Sequence, residues 1–536
     1  MIIVLDYEGI RLKLVRPTYL IIICAIFIII FTNTVFFQNL LKAFPLNSEN
    51  TLFLISVVLV YYILLVIIFS LFSFRKTLKP FLILMLIISA TVHYFMESYH
   101  IAVDKAMIEN VMQTNAKEID DLLTFKFFIT LFFLALLPSY IIYRIPLIYT
   151  GFRREFIRRI RFILIHLLVL IVLLFTFSKF YTSFFREHKE LRLYTNPLAT
   201  LYNGIDYTFE KILSRTIPMK VIGEDAHISK NEESKRNIVI MVVGEAARAD
   251  HFSLNGYEKN TNPYLAKEDV VNFSQMYACG TTTAISVPCM FSMYTSEEYD
   301  SVKGWHTHSV LDVLSRAGVD VLWRENNSDS KGVATRVPFE YYKTDFYNRV
   351  CDDECRDEGM LIGLDKVIEK SEKDIIIVLH QMGNHGPAYY KRYPKEFKHF
   401  TPVCETNQFE SCTIEEIHNA YDNALRYTDY FLSKTIELLK RYEESANTTM
   451  IYMADHGESL GENGLYLHGL PNFIAPESQT HVGALMWFGK NNTIDKETLK
   501  TKAQNPYSHD YLFSTLLGLF SVKTKVYNPS LDMLRE

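Results

Sequence analysis

NIVIMVVGE, Asn237 to Glu245, is the stretch whose reading decides the fold. It is a continuous apolar, β-branched run with no polar face to turn to water, the pattern of a strand covered on both sides in a parallel sheet. KDIIIVLHQMGNHG (Lys373 to Gly386) and TTMIYMADHGES (Thr448 to Ser459) repeat the pattern, and VDVLWREN (Val319 to Asn326) repeats it more weakly. Helical stretches lie between them, HSVLDVLSRAG and the long IEEIHNAYDNALRYTDYFLSKTIELLKRYEE. Alternation of strand and helix predicts an α/β domain with a mostly parallel sheet sandwiched by helices.

In such a sheet ligands collect outside the carboxyl ends of the strands. The residues there are Glu245, His380 with His385, and Asp455 with His456. Glu, Asp and His together are a donor set for Zn²⁺. A lone histidine after a strand is more often a structural residue than a ligand. Adjacent Asp455 and His456, followed by Gly457, read differently: two metal-type donors at a strand end are costly without a partner, and glycine lets a backbone approach a ligand closely.

Outward from this domain the composition changes. Up to about Phe180 the chain is dominated by Leu, Ile, Phe and Val, and five stretches approach the roughly 20 residues that a helical span needs. They run over residues 19–37, 52–72, 80–95, 127–143 and 162–177. Arg11, Lys13 and Arg16 precede the first; Arg75, Lys76 and Lys79 follow the second; Arg144, Arg153, Arg154, Arg158, Arg159 and Arg161 precede the fifth. The positive-inside rule makes those segments cytoplasmic. An odd number of spans then delivers everything after Phe180 to the far side, the periplasm of a bacterium-like cell.

The cysteines agree. Cys24 is alone in an apolar run, while Cys279 with Cys289, Cys351 with Cys355, and Cys404 with Cys412 form close pairs in the polar half. An even set of such pairs reads as disulfides in an oxidising compartment. The far-side loop AMIENVMQTNAKEIDD (Ala106 to Asp121) spaces Asn110, Thr114 and Glu118 four apart, on one face if helical; a solvated amphipathic helix explains that spacing equally well. SFFREHKELRLYTNP reads as an interfacial segment, and GEDAHISKNEESKR (Gly223 to Arg236) cannot bury a core. The expected domains are therefore 1–180, transmembrane; 181–236, interfacial helices and linker; and 237–536, the α/β domain on the far side. A net charge of −5 argues against a nucleic-acid partner.

ACGTTTAISVPCMFS, Ala278 to Ser292, sets three threonines before an apolar run. A hydroxyl at a helix start can cap the helix or act as a nucleophile, and the residues alone do not choose among Thr281, Thr282 and Thr283.

Six blocks in this order, VVGEAARADHFSLNGYEKNTNP, CGTTTAISVPCMFS, WRENNSDSKGV, HQMGNHGPAYYKRYP, CETNQFESC and ADHGESLGENGLYLHG, closely resemble the bacterial lipopolysaccharide phosphoethanolamine transferases. That family includes the lipid A enzymes and the mobile colistin-resistance enzymes. The resemblance implies a five-span membrane domain and an alkaline-phosphatase or sulfatase-like periplasmic domain. It implies Thr283 as nucleophile, with Glu245, Thr283, Asp455 and His456 as ligands of a catalytic zinc. His385 and His468 would handle the phosphate, leaving one or two zinc ions open. Asn327, Ser328 and Lys331 would bind substrate, and Asn110, Thr114 and Glu118 would meet the ethanolamine end. Thr281 and Thr282 are left as backbone and capping residues, Thr283 becomes both cap and nucleophile, and a bridge from Cys279 to Cys289 would clamp their loop. CDDEC departs from the family pattern in the closeness of its cysteines, which leaves the pairing of Cys351 with Cys355 open.

The implied reaction moves phosphoethanolamine from phosphatidylethanolamine to lipid A, core oligosaccharide or a periplasmic protein, from a monomeric inner-membrane enzyme. Adding an amine lowers surface negative charge and so favours resistance to cationic peptides such as polymyxin. A phosphoglycerol transferase, or a phosphodiesterase or sulfatase, of the same superfamily is the alternative.

Overall fold

The computed structural model describes residues 3–7, 10–114, 119, 122–214, 216–229 and 234–535. They form two compact units, Met1–Asp104 with Leu123–Asp206, and Lys105–Leu122 with Tyr207–Glu536.

In the first unit Thr51–Leu71, Leu78–Tyr99, Phe125–Arg144 and Phe152–Thr176 are long and apolar enough to cross a bilayer, and Pro17–Thr32 with Thr34–Ala43, bent by 66°, makes a fifth span if the pair is one. The expected unbroken span over 19–37 is thus interrupted at Asn33. The side-chain amide there competes for one ladder acceptor, the Ile28 carbonyl, and ties the chain to other segments: Oδ1 accepts from Tyr61 Oη (2.9 Å) and Asn196 N (2.9 Å), and Nδ2 donates to the Ile28 and Asn196 carbonyls. The third expected span, 80–95, is outrun by its helix, which reaches Tyr99 with His93 and Glu97 paired at 3.1 Å one turn apart. The fifth begins among the arginines at Phe152, and none of its described residues is buried.

The second unit is built on a seven-stranded sheet. Its strands are β1 (Asn237–Gly244), β2 (Val270–Asn272), β3 (Asp320–Glu325), β4 (Phe339–Tyr341), β5 (Ile375–His380), β6 (Asn447–Ala454) and β7 (Ala484–Phe488), in the order β2-β7-β6-β1-β5-β3-β4. The five strands β6-β1-β5-β3-β4 are parallel, and β7 and β2 close one side antiparallel. Ile238 through Val243 are all 0% exposed. Successive side chains point to opposite faces, so both faces of β1 are covered.

Ile414–Lys440 contributes Leu425, Phe431, Leu432, Ile436 and Leu439 to the same core. It starts where Thr413 and Glu416 form a capping box, each satisfying a backbone amide of the other. Val310–Ala317 starts on the Ser309–Asp312 box and ends at Gly318 with φ 101°, a left-handed cap that favours glycine.

All three expected cysteine pairs are closed as disulfides. Cys279 is bonded to Cys289, which ties the loop before Thr283 to the helix that follows it. Cys404 is bonded to Cys412, just before the capping box at Thr413. Cys351 is bonded to Cys355, so the pairing that the short CDDEC spacing left open is formed. Cys24 is free and buried.

Candidate active site

The parallel register assembles the site. Ala454 lies opposite Gly244, so the residues that follow them, Asp455 and Glu245, leave the sheet side by side, with Asp455 N donating to the Gly244 carbonyl at 2.9 Å. Asp455 Oδ1 accepts from Ala246 N (3.2 Å) and His456 N (2.8 Å). Gly457 permits this crossing, because a Cβ there would sit 2.2 Å from the Ser478 carbonyl oxygen.

Thr283 is the first residue of the helix Thr283–Met290. No threonine side chain caps that helix: Thr282 occupies the N-cap position without a side-chain bond, and Thr281 Oγ1 donates to the Leu470 carbonyl. Thr283 Oγ1 instead donates to Glu245 Oε2 at 3.2 Å and lies 3.4 Å from His456 Nε2. The cap expected at the triplet is absent, and the hydroxyl beside the acidic cluster belongs to Thr283.

His456 Nδ1 faces the Gly457 carbonyl at 2.8 Å. A carbonyl only accepts, so Nδ1 carries a proton and Nε2 is the ring nitrogen turned to the acids. His456 Nε2 lies 3.4 Å from Glu245 Oε1 and 3.6 Å from Asp455 Oδ2. Both oxygens are buried without a hydrogen-bond donor among the described residues. Burial and the neighbouring Glu245 charge push the Asp455 carboxyl above its ordinary value, since each disfavours a second negative charge there. Two buried carboxylate oxygens without hydrogen-bond donors repel one another unless a cation stands between them, and the imidazole nitrogen and the hydroxyl beside them are further donor atoms for one. The donor set therefore fits a metal ion.

A second donor group, His456, Glu458 and His468, adjoins the first. His468 Nδ1 pairs with Glu458 Oε2 at 2.8 Å, and its ring centre lies 4.1 Å from that of His456 and 6.4 Å from that of His385. Burial pulls the His468 pKa down, but the Glu458 charge and hydrogen bond outweigh it and hold the imidazole up at about 9. His385 Nδ1 donates to the Gly386 carbonyl at 2.8 Å, leaving Nε2 as its acceptor or ligand atom.

The sulfatase family model matches residues 237–522, and the model of phosphoethanolamine transferase EptA/EptB matches residues 61–212. Phosphatidylethanolamine transferase Mcr-2 of Escherichia coli is 42% identical over 95% of this chain and 96% of its own length. Phosphoethanolamine transferase EptA of Escherichia coli K12 is 40% identical over 96% of both. The chain belongs to the phosphoethanolamine transferase family. Among solved structures, the integral membrane lipooligosaccharide phosphoethanolamine transferase A of Neisseria meningitidis superposes with a TM-score of 0.92 at 35% identity, over 96% of this chain and 98% of that one. The periplasmic domain of phosphoethanolamine transferase EptC from Campylobacter jejuni gives 0.54 at 44% identity, over 59% of this chain and 97% of that one. This phosphoethanolamine transferase is an integral membrane enzyme with a periplasmic catalytic domain.

Its remaining candidate residues are placed unequally. Asn327 is fully buried and donates to Glu245 Oε2 at 2.7 Å, so its amide orients the carboxylate. Ser328 is half-buried, and Lys331 is buried with φ 51°. Asn110 and Thr114 lie on and just after the helix Lys105–Gln113, joined by Thr114 Oγ1 donating to the Asn110 carbonyl. Glu118 lies outside the described residues. That helix seats on the catalytic unit: Glu109 accepts from Ser301 Oγ at 2.9 Å, and Met107 fills the notch that a Cβ on Gly469 would occupy. His380 is not brought into the cluster of donors; its Nδ1 pairs with Glu325 at 2.9 Å.

Sequence reasoning missed Glu458, Tyr389 and His509. Tyr389 Oη donates to Glu458 Oε1 at 2.6 Å, bracing the partner of His468. Glu458 had a signal, a carboxylate directly after Asp455-His456-Gly457. His509 had none: it donates from Nε2 to the Ala454 carbonyl and accepts the Cys279 amide on Nδ1, and burial pushes its pKa down to about 3, keeping it neutral.

Proposed function

We propose that Thr283 takes the phosphoethanolamine group of phosphatidylethanolamine and passes it to lipid A, or to another lipopolysaccharide or periplasmic acceptor, at a bacterial inner membrane. The observation that carries the reading is the Thr283 hydroxyl, 3.2 Å from Glu245 Oε2 and 3.4 Å from His456 Nε2, on the first residue of a helix. A phosphoryl anion is favoured at such a position.

In the first half, Thr283 Oγ1 bonds to phosphorus and the bond from phosphorus to the diacylglycerol oxygen breaks. Glu245 Oε2 is within reach of the hydroxyl proton, and His468, held protonated by Glu458, supplies a proton to the leaving oxygen. In the second half the acceptor oxygen bonds to phosphorus as its proton passes to the now neutral His468, and the bond from phosphorus to Thr283 Oγ1 breaks as that oxygen recovers its proton from Glu245. His385 and His468 would orient the phosphoryl oxygens throughout, while Asn327, Ser328 and Lys331 support the donor and Asn110, Thr114 and Glu118 meet the ammonium. Glu245, Thr283, Asp455 and His456 would hold a zinc ion, which when bound supplies Lewis-acid stabilisation of the threonine oxygen and the phosphoryl charge.

Mass spectrometry of enzyme purified from its own membranes tests this. Thr283 should carry a phosphoethanolamine adduct that lipid A discharges. An unmodified Thr283 under slowed turnover, together with transfer retained by Thr283→Ala, overturns the covalent scheme.

A further inference from the structure

We infer that Glu354 and Arg392 are positioning residues for His385, and that the disulfide-closed loop Cys351–Cys355 is the anchor from which they act. This rests on the reading of His385 as a residue that handles the transferred group.

Arg392 is the hub. Its side chain is 2% exposed; its guanidinium forms an ion pair with Glu354 Oε1, and its Nε donates to the His385 carbonyl at 2.6 Å. The backbone that carries the imidazole is therefore tied to a carboxylate on a loop of five residues whose ends, Cys351 and Cys355, are bonded.

The tie runs in both directions. Arg356, directly after the loop, reaches back with Nη1 to the Lys391 carbonyl at 2.6 Å and pairs with Asp352 within the loop. The next residue, Asp357, collects the turn that leads to His385: Oδ1 accepts Met382 N at 2.8 Å and Oδ2 accepts Gly383 N at 3.1 Å. Two interlocked arginines and one aspartate thus bind segment 351–357 to segment 381–392.

A buried guanidinium–carboxylate pair contributes little net stability against well-packed apolar replacements, because both ions are stripped of water. What it supplies is direction, through a planar fork that holds one geometry. Here the fork fixes the His385 carbonyl, and the Nδ1–H bond to the Gly386 carbonyl orients the ring on that backbone. A misplacement of about 1 Å in such a group can cost about 100-fold in rate.

The test compares Glu354→Gln, Arg392→Lys and His385→Ala, singly and with Glu354→Gln added to His385→Ala, in the full-length membrane enzyme. The readouts are kcat and KM for a fluorescent phosphatidylethanolamine donor, with thermal unfolding measured alongside. Glu354→Gln and Arg392→Lys are each expected to lower kcat roughly 10- to 100-fold with KM little changed. In the His385→Ala background Glu354→Gln should add nothing, since its only route to the reaction is gone. A purely structural role would lower kcat by the same factor in both backgrounds, and that result overturns the proposal, as does full activity of Glu354→Gln. Wild-type activity of His385→Ala would instead overturn the underlying reading of His385. Should Glu354→Gln fail to accumulate, Arg392→Lys, which keeps the charge and loses the fork, carries the same comparison.

Discussion

Asp422 and Asp455 are both 0% exposed in the catalytic unit, and the structure treats them in opposite ways. Asp422 is saturated: Oδ1 pairs with His251 Nδ1 at 2.6 Å, and Oδ2 accepts from Tyr257 Oη at 3.0 Å and Lys259 Nζ at 2.8 Å. Burial alone would raise its pKa, yet His251 and Lys259 hold it below the ordinary value. Asp455 has backbone donors on one oxygen only, a second carboxylate beside it, and a raised pKa. A buried acid with its charge already balanced braces the fold; one left unbalanced marks where a cation or a charged reacting group belongs.

The sharpest way to break this comparison is at the Thr283 hydroxyl of the unbalanced cluster. Thr283→Ala should lower transfer by about 10³-fold or more, measured with a labelled lipid donor, because the proposed route forms its bond at that hydroxyl. Retained transfer would make the cluster an ornament of the fold rather than its working centre.

Next in size is the contrast itself. Asp422→Asn removes the buried counter-charge of Lys259 and an acceptor of His251, and should cost about 3–5 kcal/mol in unfolding free energy. Asp455→Asn, stripped of metal by a chelator, should be no less stable than stripped wild type, because it removes a like-charge contact with Glu245. Zinc should raise the unfolding temperature of wild type well above that of Asp455→Asn. Equal losses from the two substitutions would end the distinction between brace and site.

The pH dependence carries opposite signs at the two acids. Asp422, with its folded pKa depressed, contributes stability above its ordinary value of 3.8 and loses it as pH falls through the folded value. Metal-free Asp455, with its pKa raised, is a liability above its folded value and is relieved as pH falls through it toward 3.8. His468 adds a basic limb: raised from 6.5 to about 9, it contributes stability in full below 6.5 and loses it as pH rises through 9. Unfolding temperatures of metal-free protein across that window should fall for wild type and stay flatter for Glu458→Gln. The smallest effect belongs to Tyr389→Phe, which removes one hydrogen bond to Glu458 and should cost about 1–2 kcal/mol, read by the same unfolding curves.

The fold was legible in the sequence where it depends on local pattern. A strand buried on both faces must be apolar at every position, so NIVIMVVG and IIIVLH disclose themselves. Spans and their flanking arginines do so for the same reason. The break at Asn33 was hidden, because the amide that interrupts the helix does so with Tyr61 and Asn196, the latter 163 residues away. Glu245, Asp455 and His456 were legible because strand ends in a parallel sheet must share an edge. Arg392 and His509 were not, since each acts through a backbone carbonyl that any residue would present.

By itself the sequence determined the class of each half, the side on which the catalytic domain lies, and the inventory of donors. Those follow from side-chain solvation and from chain periodicity, which are properties of short segments. Only the tertiary structure decided which donors are already paired. It paired Asp422 with His251 across 171 residues and left Asp455 Oδ2 facing Glu245 and His456. Hydrogen-bond and charge balance are settled between segments that meet only when the chain is folded, and at this site that balance separates a saturated carboxylate from an unsaturated one.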